Sequence, residues 1–175
     1  MANVNLKWES VEFAAADVSG WNAFKRAVDV TQYPNLLSDR AVYVIRICRP
    51  FAFSYDKGHS PVAYIGKGQA QARITSHLKS WIPHLSKTIP GLRIKIYFCE
   101  PKVPRSGTIC EGVEADLIQR FLDRYGERPL RNRNTPTKAG ARVYAQSQLH
   151  ILHPGKGSRF QWAIRPLPAS HFYRA

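Results

Sequence analysis

The chain has 175 residues, of which 44% are hydrophobic and 22% charged, a composition typical of a globular protein that buries a substantial core. Lysines and arginines number 26 against 12 aspartates and glutamates, so the net charge is +14. Because such an excess repels itself, it is typical of proteins whose partner is a polyanion, and nucleic acid is the expected partner. The basic residues are scattered instead of lining one amphipathic helix, which argues against a membrane partner.

The cysteines and the first residues bear on the cellular compartment. Cys48 and Cys99 lie in apolar runs, and Cys110 has no closely spaced partner, so all three are predicted to be reduced thiols. The chain begins without a basic segment followed by an apolar run, and it contains no apolar stretch of about 18 residues. These features favour a cytoplasmic protein without a membrane anchor.

The first predicted elements are a helix and two strands. Apolar side chains recur at helical spacing between Trp21 and Val28. The β-branched run at 41–48 predicts a central strand that is buried on both faces. Two prolines and a glycine in 49–61 predict a loop or an extended hairpin tip. The run at 61–66 then predicts a second strand that pairs antiparallel with the first.

The middle of the chain predicts a helix followed by a third strand. The helix after Gly68 places Arg73 and His77 one turn apart, and Pro83 is expected to end it. The segment 92–99 alternates apolar and polar side chains, which predicts a strand with one solvated face.

The last third predicts a long helix, a basic loop and a hairpin. Thr108 and Glu111 have the spacing of a capping box, and Gly126 ends the apolar repeat of the helix. Segment 127–144 is rich in lysine and arginine and is expected to face phosphates. Two apolar runs around a Pro-Gly-Lys-Gly turn in 149–166 predict a β-hairpin.

These elements predict an α+β protein with a small three-stranded antiparallel sheet flanked by helices. Residues 1–40 form an N-terminal, mainly helical extension, and residues 41–135 form the core. Residues 136–175 form a basic C-terminal extension that contains the hairpin, and all three parts belong to one compact domain.

The order of the polar residues in this core suggests a family. Tyr43 lies in "VYV", Tyr64 in "AYIGKG", and Arg73 follows seven residues after Gly66. A helix "VEADLIQRF" and the loop "RPLRN" come next. With these motifs the segment 41–134 resembles the GIY-YIG nuclease family. Since "VYV" stands where the family has G-I-Y, only the tyrosine of the first motif carries over.

The resemblance implies an endonuclease that cuts phosphodiester bonds in DNA with one Mg²⁺ or Mn²⁺ ion. Glu114 would bind the metal, which suits magnesium because it keeps several waters and open positions. Arg73 would grip the scissile phosphate with its planar guanidinium. Tyr64 would hydrogen-bond a phosphate or a water, and Tyr43 would hold or deprotonate the attacking water.

A phenol has an ordinary pKa of about 10 and is a poor base at neutral pH. The role of Tyr43 therefore needs cationic neighbours that lower its pKa, and Lys67, Arg73 and His77 are the candidates. His77 is also expected to assist Tyr43 or to share in proton transfer.

The remaining candidates lie around the loop that follows the long helix. Asn132 is expected to brace this loop near the metal or against the backbone, and Asn134 is the alternative for the same position. Lys67, Arg131 and Arg133 are expected to contact the substrate.

The branch of the family is suggested by an insertion between Tyr43 and Tyr64 and by the presence of His77. Both features resemble the type II restriction endonuclease branch, whose palindromic sites would call for a homodimer. Two alternatives remain open, namely a structure-selective repair or recombination nuclease and a non-catalytic nucleic-acid-binding protein on the same fold.

Overall fold

The computed structural model describes residues 2–102, 109–133, 139–140, 142–154 and 160–167. In chain order the strands are β1 (Ala2–Val4), β2 (Glu9–Ala14), β3 (Ala41–Ile47), β4 (Phe51–Tyr55), β5 (Gly58–Ser60), β6 (Val62–Gly68), β7 (Arg93–Cys99), β8 (Arg142–Tyr144) and β9 (Trp162–Ile164). The helices are α1 (Trp21–Ala27), α2 (Ala70–Lys79), α3 (Trp81–Thr88) and α4 (Cys110–Tyr125).

The central sheet has four antiparallel strands in the order β2, β7, β3, β6. The predicted α+β class is confirmed, but the expected three strands are four. The fourth comes from the N-terminal extension, which was expected to be mainly helical. Val11 and Phe13 are buried while Glu12 between them is exposed, so this segment has the alternation of a strand and completes the edge of the sheet.

Strand β3 is buried on both faces, as its β-branched run predicts. Because side chains alternate along a strand, Tyr43 and Ile45 lie on one face, called here the front face, and Val44 and Arg46 lie on the other, the back face. Helices α1 and α2 cover the front face, where the Phe24 ring meets the Phe13 ring edge to face. Helix α4 packs on the back of β3 and β6.

The loop after α4 seals the free edge of β6. Arg131 donates its backbone N–H to the carbonyl of Ala63 at 2.9 Å. The Asn132 side chain accepts from the Ile65 N–H at 2.9 Å and donates to the Ile65 carbonyl at 2.7 Å. An edge strand otherwise exposes such groups, so this amide takes the place of a neighbouring strand.

The segment 49–60 forms the β4–β5 hairpin, which pairs with β9 in a separate three-stranded sheet. The expected C-terminal hairpin is wrong. His150–Leu152 forms a 3₁₀ turn whose Ile151 and Leu152 are buried, and β9 runs parallel to β4 instead of pairing with its own neighbour in sequence. Burial of two apolar residues and a free edge on β4 therefore outweighed the local turn signal.

One predicted helix boundary is also wrong, and another lies partly outside the described residues. Pro83 does not end a helix, because α2 stops at Lys79 and Pro83 lies in the first turn of α3, where a missing N–H costs no hydrogen bond. Helix α4 begins at Cys110 with Ile109 as its N-cap, and Thr108, which was predicted to cap it, lies outside the described residues. Gly126 ends α4 in the left-handed conformation, as predicted.

Within the described part of the chain, no helix is both long and apolar enough to cross a bilayer.

Candidate active site

Two tyrosine rings meet over Gly66 on the front face. Tyr43 lies directly opposite Gly66 in the β3–β6 register, and Tyr64 precedes Gly66 by two residues on the same face. The ring centroids of Tyr43 and Tyr64 are 5.8 Å apart. A Cβ atom at Gly66 would lie 2.5 Å from Tyr64 Cε1 and 2.6 Å from Tyr43 Oη, so only glycine leaves room for both rings.

Arg73 is the exposed member of the cluster. It lies in the first turns of α2 and donates from a terminal guanidinium nitrogen to the Tyr64 hydroxyl at 3.1 Å. The hydrogen bond holds the guanidinium above the tyrosine pair, where its remaining N–H groups can meet an anion from solvent.

His77 connects the tyrosines to Trp81. The Trp81 indole N–H donates to His77 Nδ1 at 2.9 Å, and His77 Nε2 lies 3.4 Å from Tyr43 Oη. Because an indole nitrogen only donates, Nδ1 carries no proton, and the proton of the neutral imidazole is on Nε2. His77 therefore donates a weak hydrogen bond to Tyr43. In this arrangement it does not take the phenol proton.

We expect the His77 imidazole to stay neutral throughout the physiological range. Burial, together with the charges of Arg73 and Arg131, lowers its pKa to about 3. Nitrogen-15 NMR of the histidine rings between pH 5 and 8 should show one constant His77 signal set with the proton on Nε2. A His77 transition in this range would contradict the tautomer assignment.

The expected lowering of the Tyr43 pKa is wrong. Tyr43 has no exposed surface, and burial, followed by the neighbouring Tyr64, raises its pKa well above the usual value. Arg73 acts in the opposite direction but does not outweigh burial. The Tyr43 hydroxyl is therefore protonated, so it orients the groups around it instead of acting as a base.

Glu114 on α4 is a half-buried carboxylate with an unusual environment. Among the described residues it forms no hydrogen bond or ion pair, although the charges of Lys67 and Arg73 act on it. Burial raises its pKa to about 7, against the lowering effect of these two cations. A desolvated carboxylate that lacks a bonded partner is costly, and it is a suitable ligand for a cation.

Asp116, two residues further along α4, shows the contrasting case. Its carboxylate accepts from the Arg142 guanidinium at 2.9 Å, from the Tyr144 hydroxyl at 2.6 Å and from the Gly140 N–H at 2.7 Å. These bonds saturate it and tie the C-terminal part of the chain to α4. Of these two acids, only Glu114 is open to a ligand.

The protein ligands at this site suit a magnesium ion whose remaining positions are filled by water and phosphate. They do not suit a metal that needs all its ligands from the protein. No group of three or more His, Cys, Asp or Glu side chains that could hold a metal occurs in the described ranges. Mg²⁺ is commonly held by one or two carboxylates, with waters and substrate phosphate in the other positions. Glu114 could supply the carboxylate, while Glu111, one turn earlier, is paired with Lys67 at 3.4 Å.

The other predicted residues occupy different places. Asn132 braces the loop against the β6 backbone, as expected for that position, while Asn134 lies outside the described residues. Lys67 is close to the site but pairs with Glu111. The Arg131 guanidinium lies over the Trp81 ring, 5.9 Å from its centroid, and the Arg133 side chain is exposed.

Trp81 and the steric role of Gly66 were missed at the sequence level. Trp81 follows His77 by four residues, which is the spacing of helical neighbours, and this was the available signal. The tight packing at Gly66 depends on which residue lies opposite it, so the strand register was needed to find it.

Comparisons with protein-family models, with curated proteins and with solved structures found no match to this chain. The likeness to GIY-YIG nucleases therefore remains a resemblance of motifs.

Proposed function

We propose that this protein is a divalent-metal-dependent endonuclease that hydrolyses phosphodiester bonds in DNA and resembles the GIY-YIG nucleases. The observation that carries the proposal is the convergence of Tyr43, Tyr64, Arg73 and His77 over Gly66. Glu114, which has no bonded partner among the residues that the structure describes, lies within electrostatic reach of Arg73. These groups come from two strands and two helices, and a net charge of +14 favours a polyanionic substrate.

The binding of the scissile phosphate is assigned to Arg73. Its guanidinium is exposed and is oriented by the Tyr64 hydroxyl, so it can donate to two phosphate oxygens at once. Hydrolysis of a phosphodiester develops negative charge on these oxygens, and a fixed cation stabilises that charge without reorganisation.

The tyrosine and histidine side chains position the exposed groups. His77 donates to the buried Tyr43, and the packed rings of Tyr43 and His77 hold Tyr64 in place, with the His77 and Tyr64 centroids 4.3 Å apart. Tyr64, which is 8% exposed, is the tyrosine that can reach a phosphate or a water. Tyr43 is a positioning residue in this proposal.

Glu114 would hold Mg²⁺ or Mn²⁺. When bound, the cation would supply Lewis acidity at the phosphate and a water of lowered pKa. The raised pKa of Glu114 means that a proton competes for the same carboxylate below about pH 7. Cation affinity should therefore increase as the pH rises through this value.

The test is to incubate the pure protein with supercoiled plasmid and Mg²⁺, and separately with a branched duplex. Discrete linear fragments support a site-specific, restriction-like enzyme, for which we also propose a homodimer because a palindromic site has two equivalent strands. Cutting of branched DNA alone supports the repair or recombination alternative. Plasmid and branched duplex that both stay intact while binding is retained contradict the nuclease proposal and leave the non-catalytic binding protein.

We expect Arg73→Lys to reduce the cleavage rate by about 10–100-fold, because lysine keeps the charge but loses the planar, two-point grip. The measurement is the initial rate of plasmid cleavage at saturating Mg²⁺. Arg26→Lys, on the exposed last turn of α1, is the matched control and should cleave normally. Equal rates for the Arg73 variant and the wild type would remove Arg73 from the reaction.

A further inference from the structure

A basic cleft lies on the back face of the sheet, away from the candidate active site. This back-face cleft, with a volume of about 460 Å³, lies between the sheet and the 3₁₀ turn at His150–Leu152, and its walls include Arg46, Lys95, Tyr97 and His153. Arg46 pairs with Lys95 across β3 and β7, whereas Tyr43 pairs with Phe98 and faces the front. The two sites therefore use opposite faces of the same strands.

The cleft brings like charges together. Arg46 and Lys95 are direct cross-strand neighbours, an arrangement that is destabilising by itself because both side chains are cations. Both lie over the Tyr97 ring, at 5.5 Å and 5.1 Å from its centroid. The ring face offsets part of the repulsion, but it carries no full negative charge.

One acid serves three cations here. Glu12 lines the cleft and lies on β2 opposite Lys95, but its Oε1 atom binds Arg93 Nε at 2.7 Å, so at most part of its charge offsets the Arg46 and Lys95 pair. Within the part of the chain that the structure describes, neither Arg46 nor Lys95 forms an ion pair, and Arg46 donates one hydrogen bond, to the His153 carbonyl at 3.1 Å. A half-buried arginine keeps its charge at any physiological pH, so an anion is the missing partner.

We infer that the back-face cleft is a second nucleic-acid-binding site, in which Arg46 and Lys95 hold a backbone phosphate beside the Tyr97 ring. A concave surface that combines paired cations with aromatic rings is typical of backbone binding with base stacking. This inference rests on the proposed function only in taking nucleic acid as the partner. Because Tyr64 and Arg73, which would hold the scissile phosphate, lie on the front side of the sheet, the cleft takes a different stretch of backbone or a second nucleic-acid molecule.

The experiment measures DNA binding in EDTA, so it does not depend on cleavage. A fluorescently labelled duplex and the matching single strand are titrated at several salt concentrations with the wild type, with Arg46→Gln/Lys95→Gln and with Arg26→Gln/Lys25→Gln. The second double variant is the matched control, because it also removes one arginine and one lysine charge, but from the exposed surface of α1. Each lost phosphate contact lowers the slope of log K against log salt by about 0.9 for duplex and about 0.7 for single strand.

We expect the cleft variant to lower the slope by about 1–2 units and to weaken binding, while the α1 variant keeps the wild-type slope. Equal slopes for the two variants would overturn the inference, and so would a wild type that binds neither probe. Tighter binding of polyglutamate than of DNA, lost in the cleft variant, would also overturn it in favour of an acidic protein partner.

Lys95→Gln serves if the double variant does not fold, since the Lys95 side chain makes no hydrogen bond within the described ranges. It should lower the duplex slope by about 0.9, and an unchanged slope would refute the site. A wild type that binds DNA through the cleft but never cuts it would contradict the proposed function and leave this inference standing.

Discussion

Glu114→Gln is expected to reduce DNA cleavage by about 10³-fold or more, because it removes the carboxylate that would hold the cation and with it several kcal/mol of transition-state stabilisation. The initial rate of plasmid cleavage in Mg²⁺ measures this loss. DNA binding in EDTA should not weaken, since the removed charge repels phosphate. Cleavage at the wild-type rate would contradict the assignment of Glu114.

The same substitution should stabilise the metal-free protein at neutral and alkaline pH. The folded pKa of Glu114, about 7, lies above the value of 4.5 for a free carboxyl, so the folded state binds this proton more tightly. Wild-type stability therefore falls as the pH rises from about 4.5 to 7 and stays reduced above it. Allowing for partial exposure, we expect the variant to be more stable by about 1–2 kcal/mol at pH 8 and equal at pH 4.

Metal binding can be measured separately from cleavage, through the thermal midpoint of the wild type and its variants. Mg²⁺ should raise the thermal midpoint of the wild type and leave that of Glu114→Gln unchanged, because ligands stabilise only the state that binds them. Glu111→Gln is the matched control, since it lies one turn away on α4 and loses a partly exposed ion pair with Lys67 worth about 0–1 kcal/mol. It should keep both cleavage and the Mg²⁺ response. Identical responses of the two variants would argue against a metal at Glu114.

Gly66→Ala is expected to lower the free energy of unfolding by about 1–3 kcal/mol and to reduce cleavage by about 100-fold. The added methyl group would lie within 2.7 Å of atoms in both tyrosine rings, so the rings must move. Displacement of Tyr64 also displaces Arg73, which is bonded to its hydroxyl. Denaturant unfolding and cleavage well below the unfolding temperature measure the two effects separately.

Gly68→Ala is the control for Gly66→Ala. A Cβ atom at Gly68 meets nothing within 4 Å, but the backbone φ of +95° is strained for alanine, at a cost of about 1–2 kcal/mol. This variant should therefore lose stability and keep most of its activity. A Gly66→Ala protein that cleaves at the wild-type rate would show that the tyrosine pair is not part of the reaction.

The strands of the core were predictable because their signals are local. The run at 41–48 and the alternation at 92–99 depend only on residues adjacent in the chain, and both became strands of the sheet. Two predictions failed because they depended on partners distant in the chain. Residues 9–14 form a strand by pairing with β7, and Trp162–Ile164 pairs with the free edge of β4 instead of forming the predicted hairpin.

The site residues show the same division. The motif resemblance named Tyr64, Arg73 and Glu114 as candidates and implied a phosphate grip for the arginine and a cation for the acid, roles that their side-chain chemistry suits. Whether a phenol ionises depends instead on its burial, which is set by packing from several elements. Full burial of Tyr43 reversed the expected direction of its pKa shift.

Amino-acid order alone therefore established an α+β core, a strongly basic surface and a set of residue types suited to phosphate chemistry. Only the folded chain decided that, among the described residues, Glu114 lacks a bonded partner while Asp116 has three. It also decided that His77 is neutral with its proton on Nε2, and that Arg46 and Lys95 share a cleft on the back face. Electrostatic energies and steric fit depend on distances between residues far apart in sequence, and those distances exist only once the sheet and its helices have packed.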